Sequence, residues 1–267
     1  MAANRLFVPG LLPVLLFAAS VRGEPANAGE PGKQEKYSYT HKSDNGGSPR
    51  TLGYHLYLPA DYGKAEAKDK KWPVMLFLHG AGERGDGKGE LDNVKKHGPP
   101  MLVEKKPNSP ATQFIIISPQ CPVKQGWDVE ALKGLLDEVV SSHKADPDRI
   151  YLTGLSMGGF GSWSMAAKYP DTFAAVAPIC GGGSPANAGK IKHLPIWVFH
   201  GDKDTAVPLQ KSQEMVDALK AAGAKEVEFT VYPGVGHDSW VKAYNDPKLY
   251  EWLLSHKRGG ASAKAGN

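Results

Sequence analysis

Three short stretches of this chain carry residue types that together could break an acyl bond. Gly154-Leu155-Ser156-Met157-Gly158 sets one serine between two glycines, directly after an apolar run. His200-Gly201-Asp202-Lys203-Asp204 offers two carboxylates, and Gly234-Val235-Gly236-His237 ends in a histidine. A serine hydroxyl is a poor nucleophile until a base takes its proton. The base in turn needs a carboxylate to fix its tautomer and orientation. Glycine two residues to either side of a serine lets neighbouring backbone approach a sharp, strained turn. On this reading Ser156 is the nucleophile and His237 the base. Asp204 stands farther out on its loop than Asp202 and is the expected orienting carboxylate. Asp202 should bond loop amides, and Asp238, adjoining the base in sequence, should point elsewhere.

Acyl transfer also needs donors for the oxyanion of its tetrahedral intermediate. The N–H of Met157, next after the serine, is one. The other is expected where "VMLFLHGAGERG" leaves its apolar run, with the Ala81 amide first and Gly82 second. His79 and His200 each close an apolar run just before a glycine and read as loop braces. Trp127 and Trp240, both expected on loops, are candidates for the walls of an acyl or sugar pocket, although packing explains them equally well. Arg84 could meet an anionic group of a substrate; pairing with Glu83 or another nearby carboxylate is the alternative. The nine histidines include no H-E-x-x-H and no close Cys/His spacing, so neither metal nor cofactor is expected.

Strands must carry these residues to one edge. "VMLFLHG", "QFIIISPQ", "RIYLTGLS", "FAAVAPICG" and "PIWVFHGD" are continuous apolar runs, the mark of strands buried on both faces. "EVEFTVYPGVGH" alternates as an edge strand does, and "KYSYTHK" with "TLGYHLYLP" reads as an opening hairpin. Helical spacing runs through "DVEALKGLLDEVVSSHK", with Asp128 as N-cap, and through "GSWSMAAKYP", "QKSQEMVDALKAAGA" and "PKLYEWLLSHK". Strands and helices in alternation after an antiparallel start predict one α/β domain, a mostly parallel sheet with helices on both faces. Ligands of such sheets bind beyond the carboxyl ends of the strands.

Together "FLHGAGERGDG", "KKHGPP", "SPQCP", "DPDRIYLTGLSMGGFGSW", "PICGGG", "FHGDKDTAVP" and "GHDSW" resemble the exported bacterial α/β-hydrolases of the predicted-peptidase and phospholipase/carboxylesterase-like group. Those are similar to feruloyl esterases, acetylxylan esterases and polyhydroxybutyrate depolymerases. The resemblance spans residues 35–256. It implies an α/β-hydrolase fold of about eight strands in the order 1-2-4-3-5-6-7-8, with Ser156, Asp204 and His237 as the triad. It leaves the substrate open, because one fold hosts many. Lipase-like members commonly carry a lid after the sixth strand. Here residues 181–194 are short and polar, so an open site is expected. An open site suits a short or aromatic acyl group on a bulky alcohol, including one linked to polysaccharide. Peptidase or aminoacyl-amidase action, lipid carboxylesterase or lysophospholipase action, and a non-catalytic binding protein on the same fold are the alternatives.

The rest of the chain bounds that reading. Residues 1–23 read as an export signal, with Arg5 ahead of an apolar core too short to span a bilayer. The protein is therefore expected in the periplasm or outside the cell, with no stable membrane insertion after cleavage. Residues 24–34 should form a flexible lead-in, 35–256 the catalytic domain and 257–267 a disordered tail. A formal charge of +4 on 267 residues gives no footprint for nucleic acid. No signal for an oligomeric state is visible. Cys121 and Cys180 follow the fourth and sixth strands, roughly 14 Å apart at three strand spacings, beyond the reach of a disulfide. Two free, half-buried thiols are expected.

Overall fold

The structure is a computed structural model that describes residues 29–42 and 48–259. The expected export signal, residues 24–28 of the lead-in and the tail beyond residue 259 lie outside the described residues. The apolar runs form one sheet from β1 (Gln34–His41), β2 (Arg50–Tyr57), β3 (Trp72–Leu78), β4 (Ile115–Pro119), β5 (Ala145–Leu155), β6 (Ala175–Ile179), β7 (Ile196–Gly201) and β8 (Val227–Tyr232). Their order across the sheet is β1-β2-β4-β3-β5-β6-β7-β8. β2 is antiparallel to both its neighbours, β1 and β4, and every pair from β4 to β8 is parallel. This is the α/β-hydrolase order.

The continuous apolar runs have a direct structural cause. Side chains of a strand alternate between faces, and both faces of this sheet are covered. Val74, Leu76 and Leu78 of β3 enter one core with Leu132 and Leu136 of α2 (Val129–Ser142), Trp163 of α3 (Met157–Lys168) and Met215 of α5 (Gln210–Ala221). Met75 and Phe77 enter the other with Leu102 of α1 (Gly98–Lys105), Tyr244 of α6 (Trp240–Asn245) and Tyr250 of α7 (Pro247–Leu254). The α2 start is capped as expected: the Asp128 carboxylate accepts from the amides of Glu130 and Ala131. α1 was not legible as a helix. Pro99 and Pro100 occupy its first turn, where no N–H is needed. α6 replaces the expected loop, so Trp240 is a helix residue.

Both thiols are free, and both are fully buried rather than half-buried. Each follows a central strand, β4 or β6, with β3 and β5 between them, so each sits under covering helices or loops. Among the described residues no helix is long and apolar enough to cross a membrane.

Candidate active site

Ser156 is the single residue between the end of β5 and the start of α3. Its backbone is at φ 54°, ψ −116°. A non-glycine residue in such a region costs about 1–3 kcal/mol and needs surrounding structure to hold it. Its N–H donates to the Ile179 carbonyl at 3.0 Å, and its carbonyl accepts from Phe160 N at 3.1 Å. The flanking glycines are steric requirements. A Cβ on Gly158 would strike the Leu78 carbonyl of β3, and one on Gly154 would strike the Gly158 carbonyl. The turn therefore packs backbone on backbone, and the hydroxyl stands at the carboxyl edge of the sheet.

The loops after β7 and β8 bring the other two groups to it. His237 Nε2 lies 2.8 Å from Ser156 Oγ, and His237 Nδ1 lies 2.7 Å from Asp204 Oδ2. Asp204 Oδ1 accepts from the amides of Ala206 and Val207, each at 2.9 Å. His200 puts Nε2 3.1 Å from Asp204 Oδ2 and 2.9 Å from the Val207 carbonyl. Both neighbours of that nitrogen are acceptors, so it carries a hydrogen. Its Nδ1 is anchored on Ser212 Oγ at 2.7 Å. Burial pushes the Asp204 carboxyl up, but the bonds from His237, Val207 and Ala206 outweigh it and hold the group below the usual carboxylate range. Asp204 is thus a carboxylate at neutral pH. Asp202 accepts from the Gly234 amide at 2.7 Å and ties the two loops together. Asp238 is exposed.

The loop after β3 supplies a braced peptide. His79 is buried, its Nε2 accepts from Cys121 N at 2.9 Å, and its Nδ1 lies 2.6 Å from the Gly80 carbonyl. Accepting at Nε2 leaves the hydrogen on Nδ1, so the ring donates to Gly80 C=O. That carbonyl and the Ala81 N–H belong to one planar peptide. His79 therefore fixes the plane of the Ala81 amide, while Glu83 Oε2 accepts the Gly80 N–H at 2.9 Å. Burial lowers His79 to about 4, against a smaller opposing effect of the Gly80 bond, so the ring is neutral in ordinary buffers. A Cβ on Gly80 would come 2.8 Å from Leu155 and 3.6 Å from Ser156 Cβ, which shows how close this loop lies to the serine. Ala81 and Met157 each open a helical turn, where helix geometry supplies the N–H no acceptor. Gly82 follows Ala81 in the same turn and is exposed.

The remaining candidates divide. Trp240 sets its ring edge-on to His237 at 5.3 Å and faces His97 at 5.5 Å. Trp127 packs on His79 at 4.7 Å and lines a cavity of about 240 Å³ with Arg50 and Cys121. The two tryptophans thus serve different walls. Arg84 does not pair with Glu83, whose carboxylate turns inward to Gly80 N and lies 3.7 Å from His97 Nε2. The Arg84 cation sits beside the Cys121 thiol instead, and among the described residues it forms no salt bridge. The β6–β7 connection holds α4 (Ala188–Ile191), which packs on α3 and α5. His237 keeps 27% of its side chain exposed, and Ser156 is half-buried. Three features escaped the sequence reading: the contact of His200 with Asp204, the Glu83 cap on Gly80, and the nearness of Cys180 to Asp204 and His237. The recurring His-Gly at two strand ends was the available signal for the first.

A doubly covered sheet in this strand order, with a serine on a positive-φ turn after β5, defines an α/β-hydrolase. The chain belongs to the dienelactone hydrolase family, whose model matches residues 104–249. It is 31% identical over 151 residues to poly(3-hydroxyalkanoate) depolymerase C of Paucimonas lemoignei, covering 55% of this chain and 35% of that protein. It is 34% identical over 176 residues to a protein of Nocardia uniformis subsp. tsuyamanensis named as the esterase NocK, covering 60% and 47%. The chain thus spans between a third and a half of the length of these curated relatives. A solved thermostable esterase superposes with a TM-score of 0.70 at 29% identity, over 84% of this chain and 63% of that one.

Proposed function

We propose that this chain is a serine esterase acting through an acyl-enzyme. Ser156 attacks the ester carbonyl while His237 Nε2 takes its proton. Asp204 holds the imidazole with its hydrogen on Nδ1 and stabilises the imidazolium that forms. The amides of Met157 and Ala81, with Gly82 beside them, receive the oxyanion. His237 then returns the proton to the leaving alcohol, and water resolves the acyl-enzyme by the same steps. No cofactor enters. The observation that carries this reading is the continuous pair of hydrogen bonds Ser156–His237–Asp204, at 2.8 and 2.7 Å, on a serine with φ 54°. The esterase and depolymerase names of the relatives support ester over amide bonds.

The partly exposed His237 and the aromatic Trp240 beside it favour a short or aromatic acyl group on a bulky alcohol, including a polysaccharide-linked one. With the export signal expected over residues 1–23, this action would take place in the periplasm or outside the cell. A panel of p-nitrophenyl acetate, a long-chain p-nitrophenyl ester, methyl ferulate, acetylated xylan and an aminoacyl amide tests the class. Turnover of the short and aromatic esters, lost in Ser156→Ala, is expected. Preference for the amide or for long-chain ester at an interface would contradict it.

A further inference from the structure

We propose that Cys180, Asp204 and His237 form an inhibitory site for a thiophilic divalent cation of the zinc and cadmium type. Its inhibitory effect rests on the esterase reading; the binding does not. The three residues follow β6, β7 and β8, three neighbouring strands, which is why positions far apart in sequence converge. One ligand atom from each lies within 4.8 Å of the others. Ligands of a tetrahedral zinc ion stand roughly 3.3–3.8 Å apart, so shifts of about an ångström complete the site. Sulfur, imidazole nitrogen and carboxylate oxygen are the donors that such ions take.

Charge decides which ion can sit there. A buried charge is costly unless it is compensated. One thiolate and one carboxylate together neutralise a dication, and imidazole adds a neutral donor. Cys121, the other thiol, has the Arg84 cation as its neighbour, which repels a metal ion. Around Cys180 the facing groups are Asp204, Asp238, the Ser239 hydroxyl and the Ser156 amide. His200 faces the site through its bond to Asp204, and Trp240 through its contact with His237. Both charged groups among those facing the sulfur directly are acidic.

Binding explains inhibition by proton inventory. The thiol loses its proton to buffer as the sulfur–metal bond forms. As the nitrogen–metal bond forms at His237 Nδ1, the hydrogen held there moves through solvent to Nε2, so the ring stays neutral. One proton in all goes to buffer per ion bound, and no electron changes hands. The single hydrogen of the imidazole now sits on Nε2, where a lone pair is needed to accept the Ser156 proton. Hydrolysis stops although Ser156 itself is untouched.

Cadmium titration of the full chain tests this with two readouts: the ultraviolet charge-transfer absorption of a cadmium–thiolate bond, and the rate on p-nitrophenyl acetate. Wild type and Cys121→Ala are expected to gain the absorption and lose activity, with recovery on chelation. Cys180→Ala and Cys180→Ser should lack the absorption and need at least about tenfold more cadmium for half-inhibition. The serine variant retains the size of the side chain should alanine unsettle the fold. No absorption in wild type, or equal absorption and inhibition in the Cys180 variants, overturns the site. Absorption with activity retained overturns the inhibition alone. An inactive chain that still shows Cys180-dependent absorption would separate failure of the esterase reading from failure of the metal site.

Discussion

His79 and His237 are the same residue type at the same edge of one sheet, yet the fold makes opposite use of them. His79, 1% exposed, has both ring nitrogens committed to backbone groups. His237, with 27% of its side chain exposed, bridges a hydroxyl and a carboxylate. The first is fixed in one tautomer and carries no proton traffic; it holds the Gly80–Ala81 peptide in place. The second has a carboxylate on Nδ1 and a free path from Nε2 to Ser156. On the proposed reading, burial and partners, not residue type, separate a brace from a base.

Removing each histidine sharpens the contrast. His237→Ala should lower kcat/KM on p-nitrophenyl acetate by about 10⁵–10⁶. Asp204→Asn, which leaves the wrong tautomer at His237, should cost about 10⁴ in kcat. His79→Ala frees the Ala81 peptide without touching the base. A fall of about 10² in kcat, with KM little changed, is expected. Equal losses for His79→Ala and His237→Ala would erase the distinction between them.

The smallest effect concerns stability. Burial lowers both His79 and His55 from 6.5 to about 4. Between those values the unfolded chain binds more protons than the folded one, so stability rises with pH there. Their contribution is complete above about 6.5 and is lost as pH falls towards about 4. Denaturant midpoints measured from pH 7 to 4 should fall, on the order of 1 kcal/mol or more, and less in His79→Gln. A flat profile would count against neutral burial.

The elbow and the loop ends were legible because they depend on local rules. Gly154 and Gly158 flank Ser156 where only glycine fits, and the apolar runs needed covering on both faces. Asp202 bonds a loop amide, as its position on the strand end suggested. What stayed hidden depends on convergence. The His79 brace needs the amide of Cys121, 42 positions away. Arg84 was read as meeting a substrate anion or pairing with Glu83 or another nearby carboxylate, but the buried Glu83 carboxylate bonds the Gly80 amide instead. Trp127 and Trp240 looked equivalent until α6 placed one on His237 and the loop ahead of α2 set the other near His79. Cys180 comes near Asp204 and His237 only because β6, β7 and β8 lie side by side.

Labelling with a fluorophosphonate tests the central claim most directly, because it reports an activated serine independently of the natural ester. The account predicts one adduct per chain, located on Ser156 by peptide mass spectrometry, absent from a folded Ser156→Ala variant and strongly slowed in His237→Ala. An adduct on another residue, or undiminished ester hydrolysis by Ser156→Ala, would contradict it.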